Sequence, residues 1–145
     1  MINLTNITEA VADILNENNT TDKRYIIERN QVQNTDESRA VQGWIGIYRE
    51  STSFSPMRTG STRFQTDIKL RLEIQAASMA SAEDCESKLE EIVEFVLTAI
   101  AGNLNLNGYV GMVKGFEVDY DDNFHDVTNI FYQFATITIS CEVFS

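Results

Sequence analysis

The 145-residue chain contains little of several residue types, and each shortage excludes a class of protein. It has one proline, one histidine, one tryptophan and two cysteines. Two cysteines cannot make the disulfide-dense framework of a small secreted scaffold. A chain of this length buries roughly 70% of the surface that its unfolded form exposes, so it needs no such support. We expect Cys85 and Cys141 to be buried free thiols in a reducing compartment, because each falls on an apolar stripe.

Basic residues are also scarce. The chain has 11 Lys and Arg against 22 Asp and Glu, which gives a net charge of −11 and a pI of about 4.4. Nucleic acid and anionic lipid surfaces repel such a chain. No apolar run approaches the ~18 residues that span a bilayer, and the N-terminal residues do not resemble a secretory signal. We therefore expect no membrane association and no specific nucleic-acid binding.

Catalytic and cofactor motifs are missing as well. The glycines of 43–46 and 111–115 fit neither a phosphate-binding loop nor a dinucleotide motif and are typical of strands. His125 lies among acids, but no G-x-S-x-G elbow exists to supply a nucleophile. The sequence predicts no enzyme and no cofactor.

One acidic segment has part of a calcium-loop spacing. Asp119, Asp121 and Asn123 occupy the first, third and fifth positions. The sixth position should be Gly and is Phe124, and the twelfth should be Glu and is Ile130. The segment is typical of a solvated hairpin tip, and we expect no metal site.

The clearest positive signal is a long alternation of apolar and polar residues over Phe64–Ala76. This period of two predicts a β-strand with one dry and one wet face. Ser81 follows as a helix N-cap signal, and an apolar stripe at helical spacing predicts a helix over Ala82–Ala101. A second helix is predicted over Ile7–Asn16, with Asn6 as its N-cap.

The remaining patterns predict four further strands and the segments between them. The strands are Arg24–Arg29, Val41–Arg49, Val110–Tyr120 and Ile130–Phe144, with a polar loop over Gln31–Arg39, a Ser/Thr/Gly-rich loop over Glu50–Thr62 and an acidic turn over Asp121–Thr128. The order α-β-β-β-α-β-β predicts an α+β fold, with an antiparallel or mixed five-stranded sheet and two helices packed on one face. We see no linker, so residues 1–145 are expected to form one domain.

Four aromatic residues should lie on the sheet face away from the helices. Trp44 and Tyr48 alternate with the apolar face of their strand, as do Tyr132 and Phe134 on the last strand. Clustered exposed aromatics are typical of a partner surface, although a loop could cover them instead. Phe54, Met57 and Arg58 on the predicted loop are candidates for the same interface, unless that loop is uninvolved.

At the level of element order, the chain resembles the tail terminator (tail completion) proteins of long-tailed bacteriophages, which include the minor tail protein U of lambda-like phages. The resemblance covers most of the chain. It lies in the first helix, the strand 67–74 that leads directly into 81–84 and the second helix, the strand and acidic segment 115–122, and the closing strand ending at 137–143. The Pro56-containing loop has no counterpart in the pattern.

The resemblance implies a structural virion protein of the tail and neck, assembled in the host cytoplasm. Such a subunit forms a homohexameric ring that caps the tail tube, stops its polymerisation and provides the head–tail joining surface. Its partners would be copies of itself, the tail tube protein and the head–tail connector, while genomic DNA passes through the channel without specific binding. Asp119, Asp121, Asp122 and Asp126 are the candidates for an acidic rim or channel.

Two other classes of function remain open from the residues alone. An acidic DNA mimic, or another non-enzymatic interaction protein, would use its carboxylates to occupy a basic site on a partner. That role requires acids spaced like duplex phosphates, whereas many acids here fall on the outer face of the second helix, where solvation accounts for them. A small hydrolase or metal enzyme would need a nucleophile, ligand cluster or phosphate loop that the sequence does not display.

Overall fold

The computed structural model describes residues 4–19, 25–29, 41–56, 64–127 and 130–144, with the backbone alone described at 56, 64, 122–127 and 144. The elements are α1 (Leu4–Asn18), β1 (Ile26–Arg29), β2 (Trp44–Pro56), β3 (Phe64–Ser78), α2 (Ala82–Ala101), β4 (Met112–Val127) and β5 (Ile130–Phe144). The predicted α+β class and the predicted order of elements are confirmed.

The five strands form one mixed sheet in the order β1-β2-β3-β5-β4. β1 pairs with β2 in parallel, and the other neighbouring strands pair antiparallel. β1 and β4 therefore lie at opposite edges, while β3 and β5 lie inside. Because β1 has four residues and β2 has thirteen, the second half of β2 extends past β1 along the same edge.

The core lies between the two helices and one face of this sheet, called here the helix-side face. Alternate residues of β2, β3 and β5 supply it from the sheet, and stripes of α1 and α2 supply it from the helices. The nearly inaccessible members include Ile45, Ile47, Ile68, Leu70, Leu72, Ile74, Ile137, Ile139 and Cys141 of the sheet, and Ile7, Val11, Leu15, Leu89, Val96 and Ile100 of the helices. The opposite face of the sheet is called the open face.

Of the two predicted helix N-caps, one is confirmed and one is wrong. α2 begins as predicted, because the Ser81 side-chain oxygen accepts a hydrogen bond of 3.0 Å from the backbone N–H of Asp84. α1 begins at Leu4, so the predicted N-cap role of Asn6 is wrong and that residue lies inside the first turn. Arg29 of β1 anchors this turn through hydrogen bonds to the Thr5 carbonyl (3.2 Å) and the Thr8 hydroxyl (3.1 Å).

The predicted loop over Glu50–Thr62 is wrong in its first half. β2 continues through Pro56 and stays paired with β3 as far as Phe64. A bulge between Arg49 and Ser51 interrupts the register, so the side-chain alternation changes phase there. Serine and threonine composition indicated a loop, but cross-strand pairing with the long strand β3 determines the structure.

The predicted acidic turn over Asp121–Thr128 is also wrong. β4 continues through Val127 and pairs with β5 down to the Val127–Ile130 pair, with a register shift between Asp121 and His125. The backbone of Asp122 and Asp126 therefore belongs to a strand, and their side chains lie outside the described residues. The partner strand β5 explains the extension, because its own alternation continues through this region.

Candidate interaction surface

The four aromatics proposed for an interface share the open face, as predicted. Trp44 lies opposite Gln75, which in turn lies opposite Phe134, and Tyr132 lies opposite Ala77 in the next row. Tyr48 lies on the same face of β2. The period of two thus placed all four correctly.

The expectation that these aromatics are exposed is wrong for Trp44. Its side chain is 1% accessible, and its indole Nε1 donates a hydrogen bond of 3.3 Å to the Glu28 Oε1. The ring lies over Gly46, where any Cβ would overlap it. Trp44 is therefore already packed and hydrogen-bonded within its own chain.

Tyr48 is half-buried and is engaged in the same way. The Arg71 guanidinium lies 5.1 Å from the centre of its ring, and the Arg71 Nε lies 3.2 Å from the Glu73 Oε1. Burial, and then the negative charge of Glu73, raise the pKa of the Tyr48 hydroxyl. Tyr132 and Phe134 are half-buried as well. A role of these four residues in subunit contacts remains a prediction.

The bulge in β2 separates Phe54 from that group. Beyond the bulge Phe54 lies opposite Thr66, and Thr52 lies opposite Ile68, so both belong to the helix-side face. Phe54 is nevertheless 62% exposed. Met57 and Arg58, predicted to join it at the interface, lie outside the described residues.

A second set of exposed aromatics lies on β4, and the sequence analysis did not select it. Phe116 lies opposite Ile139 and Tyr120 lies opposite Ala135, so both are on the helix-side face, yet they are 36% and 50% exposed. The helices pack mainly over β1, β2, β3 and β5, which leaves Phe116 and Tyr120 exposed, whereas Val113 near the start of β4 is buried in the core. The sequence shows the alternation of β4, but it does not show which strands the helices cover.

The open face of β4 is acidic. Glu117 and Asp119 are exposed there, and Asp121 continues the row opposite Phe134. Closer to the start of β4, the Lys114 Nζ lies 2.9 Å from the Asp67 Oδ1. This hydrogen bond lowers the pKa of Asp67. Asp119 and Asp121 of the predicted acidic rim are thus on one face.

Metal-binding groups and membrane-spanning helices are both missing from the part of the chain that the structure describes. No group of three or more His, Cys, Asp or Glu there could hold a metal ion. Among the same residues, no helix has the length and apolarity needed to cross a membrane. Cys85 and Cys141 are buried and free, as predicted. Burial raises the pKa of both thiols, that of Cys141 to about 11, which disfavours the reactive thiolate.

Comparisons with known proteins add a distant structural similarity. No family model matches the chain, and no curated protein matches it. Among solved structures it is similar to a chain titled as the PVC sheath/tube terminator of an extracellular contractile injection system in the extended state, at 13% identity and a TM-score of 0.47. The match covers 99% of this chain and 57% of that chain, so this chain spans little more than half the length of its neighbour. A likeness at this level does not establish a common function, and membership of the lambda-like family remains a prediction.

Proposed function

We propose that this protein is a non-catalytic structural subunit that associates with copies of itself in a closed ring at the end of a phage tail tube. In this role it caps the tube, stops its polymerisation and presents a surface for head–tail joining. The element order α-β-β-β-α-β-β, on which the resemblance to tail terminators rests, supports this proposal. The observation that carries the self-association is the pair of unlike sheet edges.

A ring requires a heterologous contact, in which one surface of a subunit meets a different surface of the next. The sheet offers β4 at one edge and β1 with the second half of β2 at the other. Each edge carries an exposed aromatic on the helix-side face, Phe54 on β2 and Phe116 and Tyr120 on β4. Pairing the two edges in a continuous sheet brings these aromatics to the same side of the junction.

Charge favours this unlike pairing over a symmetric dimer through β4. Two β4 edges in contact would place the exposed acids Glu117 and Asp119 of both copies close together, and like charges opposite each other destabilise a sheet. Beyond its bulge, the open face of β2 instead carries Ser51, Ser53 and Ser55, which are exposed and neutral. Hydroxyl groups next to a carboxylate row are compatible neighbours, because they donate hydrogen bonds to it.

In a ring that keeps the helices outward, the open faces line the channel. Glu117, Asp119 and Asp121 then face the lumen. A lumen of this charge repels the DNA backbone and lets genomic DNA pass without binding. The proposed partners are the tail tube protein and the head–tail connector, and the proposed location is the neck of the virion after assembly in the host cytoplasm.

The test is the morphology of phage particles that lack this protein. We expect overlong or headless tails in electron micrographs, because nothing ends tube growth. Wild-type protein supplied in trans should restore normal necks, whereas Phe116→Lys with Tyr120→Lys should not. Met79→Lys is the matched control, since Met79 is 66% exposed but lies in the turn before α2. Complete necks without the protein, or full rescue by the β4 double variant, would contradict the proposal.

A further inference from the structure

A groove of about 250 Å³ runs between α2 and the uncovered edge strand β4. Its lining comes from three elements: Glu86, Leu89 and Glu90 of α2, Tyr120 and Asp121 of β4, and Gln133 of β5. Pockets for small-molecule ligands usually measure about 300–1,000 Å³, so this groove suits something smaller, such as one side chain. It exists because α2 covers β5 but stops short of β4.

The α2 wall of the groove is negatively charged. Glu86 and Glu90 are exposed and stand one helical turn apart, next to the buried Leu89. Like charges at this spacing repel each other and weaken the helix. A cation placed between them removes that repulsion and gains two ion pairs.

The floor of the groove holds an amide oxygen that has no hydrogen-bond partner among the described residues. The Gln133 side chain is 8% exposed, and no described residue hydrogen-bonds its Oε1. A buried acceptor in this state costs free energy that a donor can recover. The terminal torsion of a glutamine is broad, so a donor that enters the groove comes within reach of this amide after a small rotation.

We propose that the groove binds a lysine or arginine side chain of a partner protein. The aliphatic stem packs between Leu89 and the Tyr120 ring, which is 50% exposed. The charged head pairs with Glu86 and Glu90 and donates to the Gln133 amide oxygen. An arginine fits best, because its guanidinium group stacks on an aromatic face and donates several hydrogen bonds at once.

The charge of the chain indicates that this side chain comes from a different protein. Any contact between two copies must offset the mutual repulsion of chains with a net charge of −11, whereas a basic partner is attracted to the groove, so charge favours the basic partner as the source of this side chain. A single copy contains the whole groove, so binding can be measured without ring formation, and Tyr120 is the residue that the groove shares with the proposed ring contact.

The experiment titrates ¹⁵N-labelled protein with a short Thr/Ser peptide that carries one central arginine. The readouts are the Gln133 side-chain amide and the Tyr120 backbone amide. The matched probe has citrulline at the same place, which keeps the shape and removes the charge. We expect saturable shifts with the arginine peptide and binding about tenfold or more weaker with citrulline, because the charge-assisted hydrogen bonds are lost.

Substitutions in and beside the groove test whether the peptide binds there. Glu86→Gln with Glu90→Gln should abolish the shifts, whereas Glu91→Gln with Glu94→Gln, which removes the same charge from the other flank of α2, should preserve them. Gln133→Leu should weaken binding while the protein stays folded. Absence of saturable shifts, equal response to citrulline, or retained binding in the first double variant would overturn the proposal. A second copy could also supply the side chain, through its exposed Arg49 on β2. Shifts that depend on the concentration of the protein alone, and that vanish with Arg49→Gln, would place a second copy in the groove and overturn the proposal too.

Discussion

The centre of the sheet and its β4 edge carry similar alternating patterns, but their helix-side residues differ in burial. In β3 every helix-side residue from Ile68 to Ala76 is buried, because α2 packs over this strand. In β4 the helix-side residues Phe116 and Tyr120 stay exposed, because the helices pack mainly over the other strands. Alternation determines which side a residue faces, whereas neighbouring elements determine whether that side is covered. An uncovered apolar side on an edge strand is a place for another chain.

The sharpest test of this difference compares one residue from each region. Leu72→Ala in β3 removes a fully buried side chain, so we expect the free energy of unfolding to fall by about 2–5 kcal/mol. Phe116→Thr in β4 removes a partly exposed ring and should cost less than about 1 kcal/mol in the monomer. Urea unfolding of both variants measures this. Equal losses would show that the β4 edge is as well packed as the centre.

The second prediction uses the thiol of Cys141, which lies on β5 in the covered centre. Because burial raises the pKa of Cys141 from 9.0 to about 11, the folded state keeps the proton where the unfolded state loses it. Stability is therefore lost as pH rises above 9, by roughly 2–3 kcal/mol from this thiol by pH 11. Cys141→Val should show a shallower alkaline decline in unfolding experiments than wild type. Parallel declines would mean that the thiol is accessible.

Gln133 lies where the covered centre meets the uncovered edge. Gln133→Leu replaces a side chain whose buried amide oxygen has no partner among the described residues by an apolar group of similar size, so we expect stability to rise by about 1 kcal/mol. Thermal or urea unfolding measures the change. A clear loss of stability would indicate that the amide has a partner in solution.

The smallest effect is expected at the edge itself. Lys114 and Asp67 form an ion pair with both side chains substantially exposed, and solvent screens such pairs. Lys114→Ala should leave the urea midpoint unchanged within error. A clear decrease would show that the start of β4 contributes more to stability than its exposure suggests.

Sequence reasoning recovered the elements that carry strong periodicity. The strand predicted over Phe64–Ala76 ends two residues later in the structure, and the helix predicted over Ala82–Ala101 has those bounds. Both succeed because an uninterrupted pattern reports a continuous buried face. The shared face of Trp44 and Phe134 followed from the same rule.

The failures have identifiable causes. The Ser- and Thr-rich composition after the bulge between Arg49 and Ser51 predicts a loop at Phe54, whereas the structure places Phe54 on the helix-side face of β2. Acidic residues have low strand propensity, which hid the extension of β4 to Val127. The groove at Gln133 could not be predicted, because it depends on how α2 packs beside β4, a strand that follows it in the chain.

The central claim is that the two unlike sheet edges associate into a closed ring. Its most direct test is the mass distribution of the purified protein over a wide concentration range, by native mass spectrometry or sedimentation equilibrium. The account predicts a discrete closed species of six 16.4 kDa subunits, which Phe116→Lys with Tyr120→Lys converts to monomer. A monomer at all concentrations would contradict the claim and favour an acidic DNA mimic, and so would an open-ended series of sizes or a hexamer that the β4 variant leaves intact.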